Sequence, residues 1–264
     1  MKRYRAKAEY YDAEIAHHAM LEQDVPFFLG HLPKRRQSVL ELAVGTGRAA
    51  IPIAQAGHRV VGIDYAMDML ELAKQKRDAV GLDDRQLSLV RCDLLSFDLK
   101  QSFDWICLFF NTLLAFTTLE ELDAVLKNVR RHLKSRGRFW LDVFQPNLQL
   151  IAEPSSKNLD PCTFYVPALD RRIMKTTTVK RDAARQTQRV TFHYTWFDAR
   201  GIEHRERTEF AMTFMFPREL QLLLERNGLR ILQFYGNYDG SHLNADSPRM
   251  IVCCGHLDRT HAER

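Results

Sequence analysis

An apolar run that stops at a glycine turn is the feature of this chain that most limits what it can fold into. Residues 39–48 read Val-Leu-Glu-Leu-Ala-Val-Gly-Thr-Gly-Arg, and a helix-forming segment follows at once. Gly45 and Gly47 let the backbone turn tightly and approach a ligand, and the amides that open the next helix present positive dipole ends to it. A strand, a glycine turn and a helix in this order predict a nucleotide-type pocket.

Two later strands also end in acidic residues. Residues 59–64 form an apolar run that ends in Asp64, about as far downstream as the acidic residue that reaches a ribose in nucleotide-binding folds. Asp93 follows a third apolar run in the same way. Because neighbouring parallel strands end at one edge of a sheet, Glu41, Asp64 and the glycine turn are expected to converge on one crevice.

The whole series resembles the class I S-adenosylmethionine (SAM)-dependent methyltransferases. The resemblance rests on the glycine turn with Glu41, on residues 61–70 (VGIDYAMDML) and on residues 89–94 (LVRCDL), in the order and spacing of that family. It covers roughly residues 4–257 and is greatest for a bacterial and archaeal subgroup that acts on small molecules, in which sugar amine and glycine N-methyltransferases occur. Ala43 replaces the first glycine of the turn, and a methyl group is tolerated there if φ is negative.

The resemblance implies SAM as the cofactor and S-adenosylhomocysteine as the product. Glu41 and the two glycines are expected to hold the methionine part of SAM. Asp64 is expected to accept both ribose hydroxyls, since a carboxylate offers two oxygens to a vicinal diol. The residues expected to bind the cofactor are Glu41, Ala43, Gly45, Gly47, Asp64, Tyr65, Met69, Asp93, Leu94 and Phe109.

The adenine side of this site has structural alternatives. Tyr65 and Met69 are expected to flank the adenine, and Asp93 with Leu94 is expected to read its edge through a carboxylate and a backbone amide. Residues at helical spacing such as Tyr65 and Met69 are also typical of a core. Capping of the helix or turn that follows each strand is the alternative role of Asp64 and Asp93, and the combination of motifs favours the cofactor role over it.

A dinucleotide-binding dehydrogenase is the competing interpretation of the turn. Gly45, Gly47 and Ala50 satisfy the permissive form of that fingerprint, so the turn alone does not separate the two families. Glu41 would crowd a pyrophosphate with like charge, whereas it can serve a cationic amino-acid ligand. Together with Asp93 at a third strand end, this favours the methyltransferase.

Composition sets the remaining bounds. A chain of 264 residues with 45% hydrophobic and 27% charged residues is sufficient for one large α/β domain with an insertion. The net charge of +5 is spread over short basic spots such as 34–36 and 130–131. No RNA-binding signature accompanies these spots, so a small-molecule acceptor is favoured over a nucleic acid.

Cysteine usage and hydropathy indicate the compartment. The five cysteines are odd in number and form no C-x-x-C pair, which favours reduced thiols in a cytoplasmic protein and no metal site. Cys92, Cys107 and Cys253 lie in apolar strand patterns and are expected to be small buried hydrophobes. The most apolar stretch, 105–116, is interrupted by Asn111 and too short to span a bilayer, so no membrane partner is expected.

The predicted fold is α/β, a Rossmann-like seven-stranded, mostly parallel sheet with helices on both faces and a β-rich antiparallel insertion between strands five and six. A leading helical segment at 12–31 is expected to be broken or restarted near Pro26. Strands are predicted at about 38–43, 59–64, 87–92, 104–110, 138–144, 230–236 and 249–257. Helices are predicted at about 47–56, 67–80, 118–134 and from Pro217 to the glycine at 228.

Three chain segments follow from this pattern. Residues 1–148 are predicted to form a SAM-binding domain with an N-terminal capping helix, residues 149–216 an insertion that covers the substrate site, and residues 217–264 the completion of the domain. Residues 145–161 carry three prolines and are predicted to be a linker, followed by three strand-like runs.

Alternating aromatic residues define two of those runs. In the second, one face carries Val190, Phe192, Tyr194 and Trp196; in the third, one face carries Phe210, Met212, Phe214 and Phe216. Turn residues at 198–201 are expected to join the two runs as an antiparallel hairpin.

Methyl transfer needs an aligned nucleophile and a site without water more than it needs a strong base. Asn111 follows an apolar strand at the end where this fold places reactive groups, and Tyr11 and Tyr194 could line the pocket, so these three are the candidate catalytic residues, acting by positioning. The acceptor is expected to be an amine nitrogen. The alternatives are an RNA methyltransferase and a SAM- or nucleotide-binding module without turnover, and a homodimer stays open.

Overall fold

The computed structural model describes residues 8–18 and 20–257. Residues 1–7, 19 and 258–264 lie outside the described residues, and so do the outer ends of the predicted segments 1–148 and 217–264 and the first residues of the family resemblance. The chain divides into two compact units. The larger unit comprises Gln23–Leu113, Thr118–Gln145 and Phe216–Arg264, and the smaller unit comprises Met1–Glu22, Leu114–Thr117 and Pro146–Met215.

Seven helices and eleven strands make up the described chain, together with two short 3-10 turns at Thr112–Ala115 and Pro167–Leu169. In chain order they are α1 (Ala8–Ile15), α2 (Leu21–His31), β1 (Ser38–Leu42), α3 (Ala50–Gln55), β2 (Arg59–Asp64), α4 (Met67–Ala79), β3 (Leu87–Arg91), β4 (Phe103–Leu108), α5 (Leu119–His132), β5 (Leu133–Phe144), α6 (Leu148–Ala152), β6 (Ser155–Val166), β7 (Arg171–Asp182), β8 (Thr187–Phe197), β9 (Glu203–Thr213), α7 (Pro217–Arg226), β10 (Leu229–Tyr235) and β11 (Arg249–His256).

The larger unit is built on a seven-stranded sheet in the order β10-β11-β5-β4-β1-β2-β3. Strands β1 to β5 all run parallel to one another, and β11 runs antiparallel to both β5 and β10. Helices pack on both faces of this sheet, which explains why the central strands are apolar along almost their whole length. The predicted Rossmann-like fold, its antiparallel final hairpin and its insertion after the fifth strand are confirmed.

The core of the larger unit forms around Phe28, whose side chain is fully buried. Its ring packs edge to face against those of Trp105 and Trp140, with ring centroids 5.7 Å and 5.4 Å apart. The predicted break near Pro26 is wrong, because Pro26 lies inside α2 and the break falls between Ile15 and Leu21. Burial of α2 against the sheet overrides the weak helix propensity of a single proline.

The smaller unit is built on a four-stranded antiparallel sheet in the order β6-β7-β8-β9. The prediction of a linker over 145–161 is wrong from residue 148 onwards, because α6 and the first residues of β6 occupy most of that segment. Pro161 lies in β6 at an irregularity of the register with β7. An edge strand has a free side, so it accommodates a residue without an amide donor, and the proline pattern therefore concealed a fourth strand.

The alternation in the last two strands of this sheet is largely as predicted. Val190 and Tyr194 are buried on one face of β8 while His193 is exposed on the other, and β8 pairs antiparallel with β9 across the turn at 198–201. Phe214 and Phe216 were predicted to continue β9 but lie beyond its end at Thr213.

A second core belongs to the smaller unit. Tyr10 of α1 packs against Phe164, Ile173 and Tyr194, with its ring 5.5 Å from that of Tyr194.

Cys107 and Cys253 in the larger unit are buried as predicted, whereas Cys92 is half-buried because β3 ends one residue before it. No helix within residues 8–18 and 20–257 is long and apolar enough to cross a membrane.

Candidate functional site

The carboxyl ends of β1 and β2 meet through a direct contact between their turns. The backbone amide of Gly45 donates to Oδ2 of Asp64 at 2.9 Å, and the amide of Ala66 donates to Oδ1 at 3.0 Å. Burial raises the pKa of the Asp64 carboxyl, opposed by these backbone hydrogen bonds. Asp64 therefore closes the glycine turn and holds the amide of Ala66, the residue just before α4, so a ribose would meet a carboxylate that is already oriented.

The turn itself is more strained than its sequence indicates. Ala43 has φ +55°, so the negative φ at which its methyl group would be tolerated without strain is not the one it adopts. Gly45 and Gly47 follow with φ +53° and +81°. A side chain in the left-handed region costs about 1–2 kcal/mol, which the surrounding structure must offset.

A glycine outside the turn helps to shape it. A Cβ added at Gly62 in β2 would lie 2.7 Å from Cγ2 and 2.9 Å from Cβ of Val44. Gly62 therefore makes room for the side chain at the apex of the turn, and the amide of Val44 donates to the Ile63 carbonyl at 2.9 Å. Sequence reasoning missed this role, although the glycine inside an apolar strand was a visible signal.

Glu41 supplies a buried carboxylate at the end of β1. The Ala50 backbone amide is bonded to it, whereas its Oε2 atom is buried and has no hydrogen-bond partner among the described residues. Burial raises the pKa of Glu41 to about 8, with Arg48 lowering it and Asp24 and Asp64 raising it. A buried oxygen without a partner is costly, and a cationic ligand group such as the ammonium of SAM would satisfy it.

An ion pair between α2 and the glycine turn was not anticipated. Asp24 is fully buried and receives two hydrogen bonds from the guanidinium of Arg48, at 2.7 and 2.6 Å. This two-pronged geometry is the strong form of an arginine–carboxylate pair. Arg48 was visible next to Gly47, but nothing in the sequence linked it to a partner 24 residues earlier.

The predicted adenine side divides into buried and exposed residues. Met69 and Leu94 are buried, and Tyr65 is 41% exposed. Asp93 is exposed, and its Oδ1 accepts from the Leu95 amide at 2.9 Å, as the turn-capping alternative requires. The predicted contact of Asp93 with the adenine stays a prediction.

The end of β4 carries two consecutive residues in the left-handed region, Phe110 with φ +52° and Asn111 with φ +62°. Oδ1 of Asn111 accepts from the Phe144 amide at 2.7 Å, which fixes the carboxamide. Phe109 is buried against Phe28, with 5.3 Å between ring centroids. The predicted cofactor residue Phe109 is thus part of the core, whereas Asn111 is half-buried at the strand end.

Asp142 in β5 holds the turn at the end of β4 through two hydrogen bonds. Its Oδ1 accepts from the Phe110 amide at 2.8 Å and its backbone carbonyl accepts from the Asn111 amide at 3.1 Å. Its Oδ2 accepts from the hydroxyl of Tyr238 at 2.7 Å and from the guanidinium of Arg249. Asp142, Tyr238 and Arg249 are all buried, and none was singled out from the sequence.

The two candidate tyrosines belong to the smaller unit, while the predicted cofactor residues belong to the larger unit. Tyr194 is buried, and its hydroxyl donates to Oε2 of Glu14 at 3.0 Å. The ammonium of Lys175 pairs with the other oxygen of Glu14. Burial and the neighbouring Glu14 raise the pKa of the Tyr194 hydroxyl far above its ordinary value, so it is neutral. Tyr11 is half-buried on α1.

Comparison with known proteins agrees with this geometry. The family model described as "Methyltransferase domain" matches residues 39–137, which include the glycine turn, the ends of β1 to β4 and the start of β5. A cypemycin N-terminal methyltransferase from a Streptomyces species is 28% identical over 228 residues, which cover 86% of each chain.

Two solved structures share the fold. A SAM-dependent methyltransferase from Clostridium acetobutylicum superimposes with a TM-score of 0.76 at 18% identity, covering 95% of this chain and 98% of that one. The sugar N-methyltransferase KedS8 from Streptoalloteichus superimposes with a TM-score of 0.68 at 19% identity, covering 96% and 95%. Given the glycine turn, the buried Glu41 and Asp64, and these matches, the chain is a class I SAM-dependent methyltransferase, an enzyme whose cofactor is SAM.

Proposed function

We propose that this enzyme transfers the methyl group of SAM to an amine nitrogen of a small polar acceptor. The observation that carries the proposal is the end of β4, where this fold places reactive groups. Residues 109–118 contain no ionisable side chain, and Asn111 is the first polar one. A hydroxyl acceptor needs a base to take its proton, whereas an amine that arrives neutral attacks without one.

The chain's own residues contribute binding and orientation. SAM supplies a methyl group that its sulfonium charge already activates. Glu41 offers an unpartnered oxygen to the ammonium group of SAM, and Asp64 offers its carboxylate to the ribose. Holding two reactants in line accounts for a large part of the acceleration of such a displacement.

Asn111 is proposed as the positioning residue on the acceptor side. Its Oδ1 is held by the Phe144 amide, and its Nδ2 group has no hydrogen-bond partner among the described residues. The free NH₂ can donate to an oxygen of the acceptor and so orient the neighbouring amine. Tyr11 and Tyr194 stay candidate positioning residues, because an aromatic ring attracts a cation that lies over its face.

The comparison with the cypemycin enzyme supports a nitrogen acceptor, since that relative's name describes methylation at an N-terminus. KedS8 is described as a sugar N-methyltransferase, which also specifies nitrogen. At 19% identity, however, its likeness to this chain supports the fold alone.

Cofactor binding is tested first, by calorimetric titration with SAM, S-adenosylhomocysteine and NADH in parallel. We expect binding of the first two and none of NADH, and a loss of at least about tenfold in SAM affinity in Asp64→Ala, since a charge-assisted hydrogen bond contributes about 1.5–3 kcal/mol. Asp246→Asn removes an exposed carboxylate elsewhere and should bind as the wild type does. Binding of NADH alone would return the turn to the dehydrogenase interpretation.

The acceptor is tested next, by measuring S-adenosylhomocysteine formation with matched panels of small amines, alcohols and thiols. Turnover with amines would support the proposal if that turnover is lost when the amine is N-acetylated. Turnover confined to alcohols or thiols would contradict it. SAM binding with no turnover on any panel would favour a binding module, and turnover that needs RNA would favour the nucleic-acid alternative.

A further inference from the structure

A cavity of about 390 Å³ opens at the edge of the sheet opposite the glycine turn. Its lining comes from the segment before β1 and from the amino ends of β4 and β5. The residues that line it are Pro33, Arg35, Gln37, Asp104, Trp105, Lys134, Ser135, Arg136 and Arg138. Since β1, β4 and β5 are parallel, their amino ends lie together at one edge of the sheet. Gly45 and Asp64 lie at the opposite edge, one strand length away.

The charges around this cavity do not balance. Four cationic side chains face a single carboxylate, that of Asp104. Both oxygens of Asp104 are engaged: Oδ2 accepts from the amide and hydroxyl of Ser38 at 2.9 and 2.6 Å, and Oδ1 accepts from the ammonium of Lys134 at 2.9 Å. Within the described part of the chain, Arg35 and Arg136 form no ion pair. Three positive charges are therefore uncompensated around one small space.

One of these cations is fixed in place. Nη1 of Arg138 donates to the carbonyls of Arg136 and Gly137 at 3.0 Å each, which holds its guanidinium at the cavity. An ordered guanidinium binds an anion with less loss of side-chain entropy than a free one. Cations held close together raise the free energy of the folded protein, and a bound anion would remove that repulsion.

We propose that this cavity is a binding site for a phosphate-bearing small molecule with at least two negative charges, separate from the SAM site. Guanidinium groups pair with phosphate through two parallel hydrogen bonds, and the volume is that of a small-ligand site. Pro33 and Trp105 provide an apolar wall for the organic part of such a molecule. An RNA strand is disfavoured, because its backbone needs cations along a track of several nucleotides, whereas these surround one cavity.

The experiment uses inorganic tripolyphosphate as the probe, titrated into the full-length protein at low salt. We expect saturable binding of one molecule per chain, and a loss of affinity of at least about tenfold in Arg35→Gln and in Arg136→Gln, for the one charge-assisted contact each removes. Arg85→Gln removes the same charge from an exposed loop in the larger unit and should bind within twofold of the wild type.

Thermal unfolding gives a second signature. Without ligand, Arg136→Gln should unfold at a higher temperature than the wild type at low salt, because it relieves repulsion, and tripolyphosphate should raise the unfolding temperature of the wild type by more than that of the variant. Absence of saturable binding, or an equal loss in Arg85→Gln, would overturn the proposal. A single-stranded RNA oligonucleotide that binds more tightly than tripolyphosphate through the same arginines would replace it with a nucleic-acid site.

Discussion

The carboxylate of Asp142 accepts a hydrogen bond from the backbone amide of Phe110 at 2.8 Å, so a side chain of β5 holds the left-handed turn that ends β4. The same carboxylate is bonded to Tyr238 and Arg249 from the chain's last hairpin. The geometry at the proposed acceptor side therefore depends on residues more than 100 positions later in the sequence.

Arg249→Met should destabilise the enzyme by about 3–5 kcal/mol, because it leaves the buried charge of Asp142 without its partner. Tyr238→Phe removes one hydrogen bond to the same oxygen and should lose only about 1 kcal/mol. Urea unfolding of the three proteins measures both values. Equal small losses in the two variants would show that the ion pair does not support the turn.

Asn111→Ala should lower kcat while leaving SAM affinity unchanged, because the carboxamide is proposed to orient the acceptor and not the cofactor. Asn111→Gly is the matched control for the backbone, since glycine adopts φ +62° without strain. We expect both variants to lose at least about tenfold in kcat, as one orienting hydrogen bond contributes about 1.4 kcal/mol or more. Full activity in Asn111→Gly would mean that the residue serves only the turn.

SAM affinity should increase as the pH rises through about 8 and then level off. The pKa of Glu41 is raised to about 8, so below that pH its carboxyl must release a proton before it can pair with a cationic group. Each pH unit below 8 should weaken binding by up to about tenfold. Calorimetry in two buffers of different ionisation enthalpy should detect the released proton, and Glu41→Gln should abolish both effects.

The same carboxyl has an effect on the ligand-free protein, with the opposite sign. Its folded-state pKa lies above its ordinary value of 4.5, so the unfolded chain loses this proton first and the Glu41 contribution to stability falls between pH 4.5 and about 8. A wild-type stability that falls no more than that of Glu41→Gln across this range would contradict the assignment.

Gly62→Ala should destabilise the enzyme by about 1–3 kcal/mol and weaken SAM binding, because the new methyl group overlaps the side chain of Val44. Adding Val44→Ala to the Gly62→Ala variant should restore much of the stability and of the SAM affinity, since it removes side-chain atoms that the new methyl group overlaps. Unfolding and calorimetry on the single and double variants test this compensation. A double variant that is no better than Gly62→Ala would place the conflict elsewhere.

The sequence predicted the parts of the site that local pattern specifies. The glycine turn and the acidic ends of β1 and β2 could be located because strand ends and turns have a local chemical signature. The positive φ of Ala43 could not be predicted, because it depends on how the turn is held by Asp64 and Val44 after folding. The place of Glu41 near the end of β1 was predicted, but its burial and its unpartnered oxygen were not.

Residues that act in pairs across the chain could not be predicted. Asp24 and Arg48, or Asp142 and Arg249, carry no signal in one sequence, because each member alone resembles a surface charge. The fourth strand of the smaller sheet was hidden for another reason. Prolines at 154 and 161 are typical of a linker, and only the place of β6 at a sheet edge makes them compatible with a strand.

The ion pair of Glu14 with Lys175 joins residues 161 positions apart in the sequence. During synthesis at about 5–20 residues per second, α1 would leave the ribosome on the order of ten seconds or more before the strand that neutralises its buried carboxylate. Until then Glu14 must stay in water, and α1 has no core of its own to join. The first described helix of this chain is therefore among the last to reach its place.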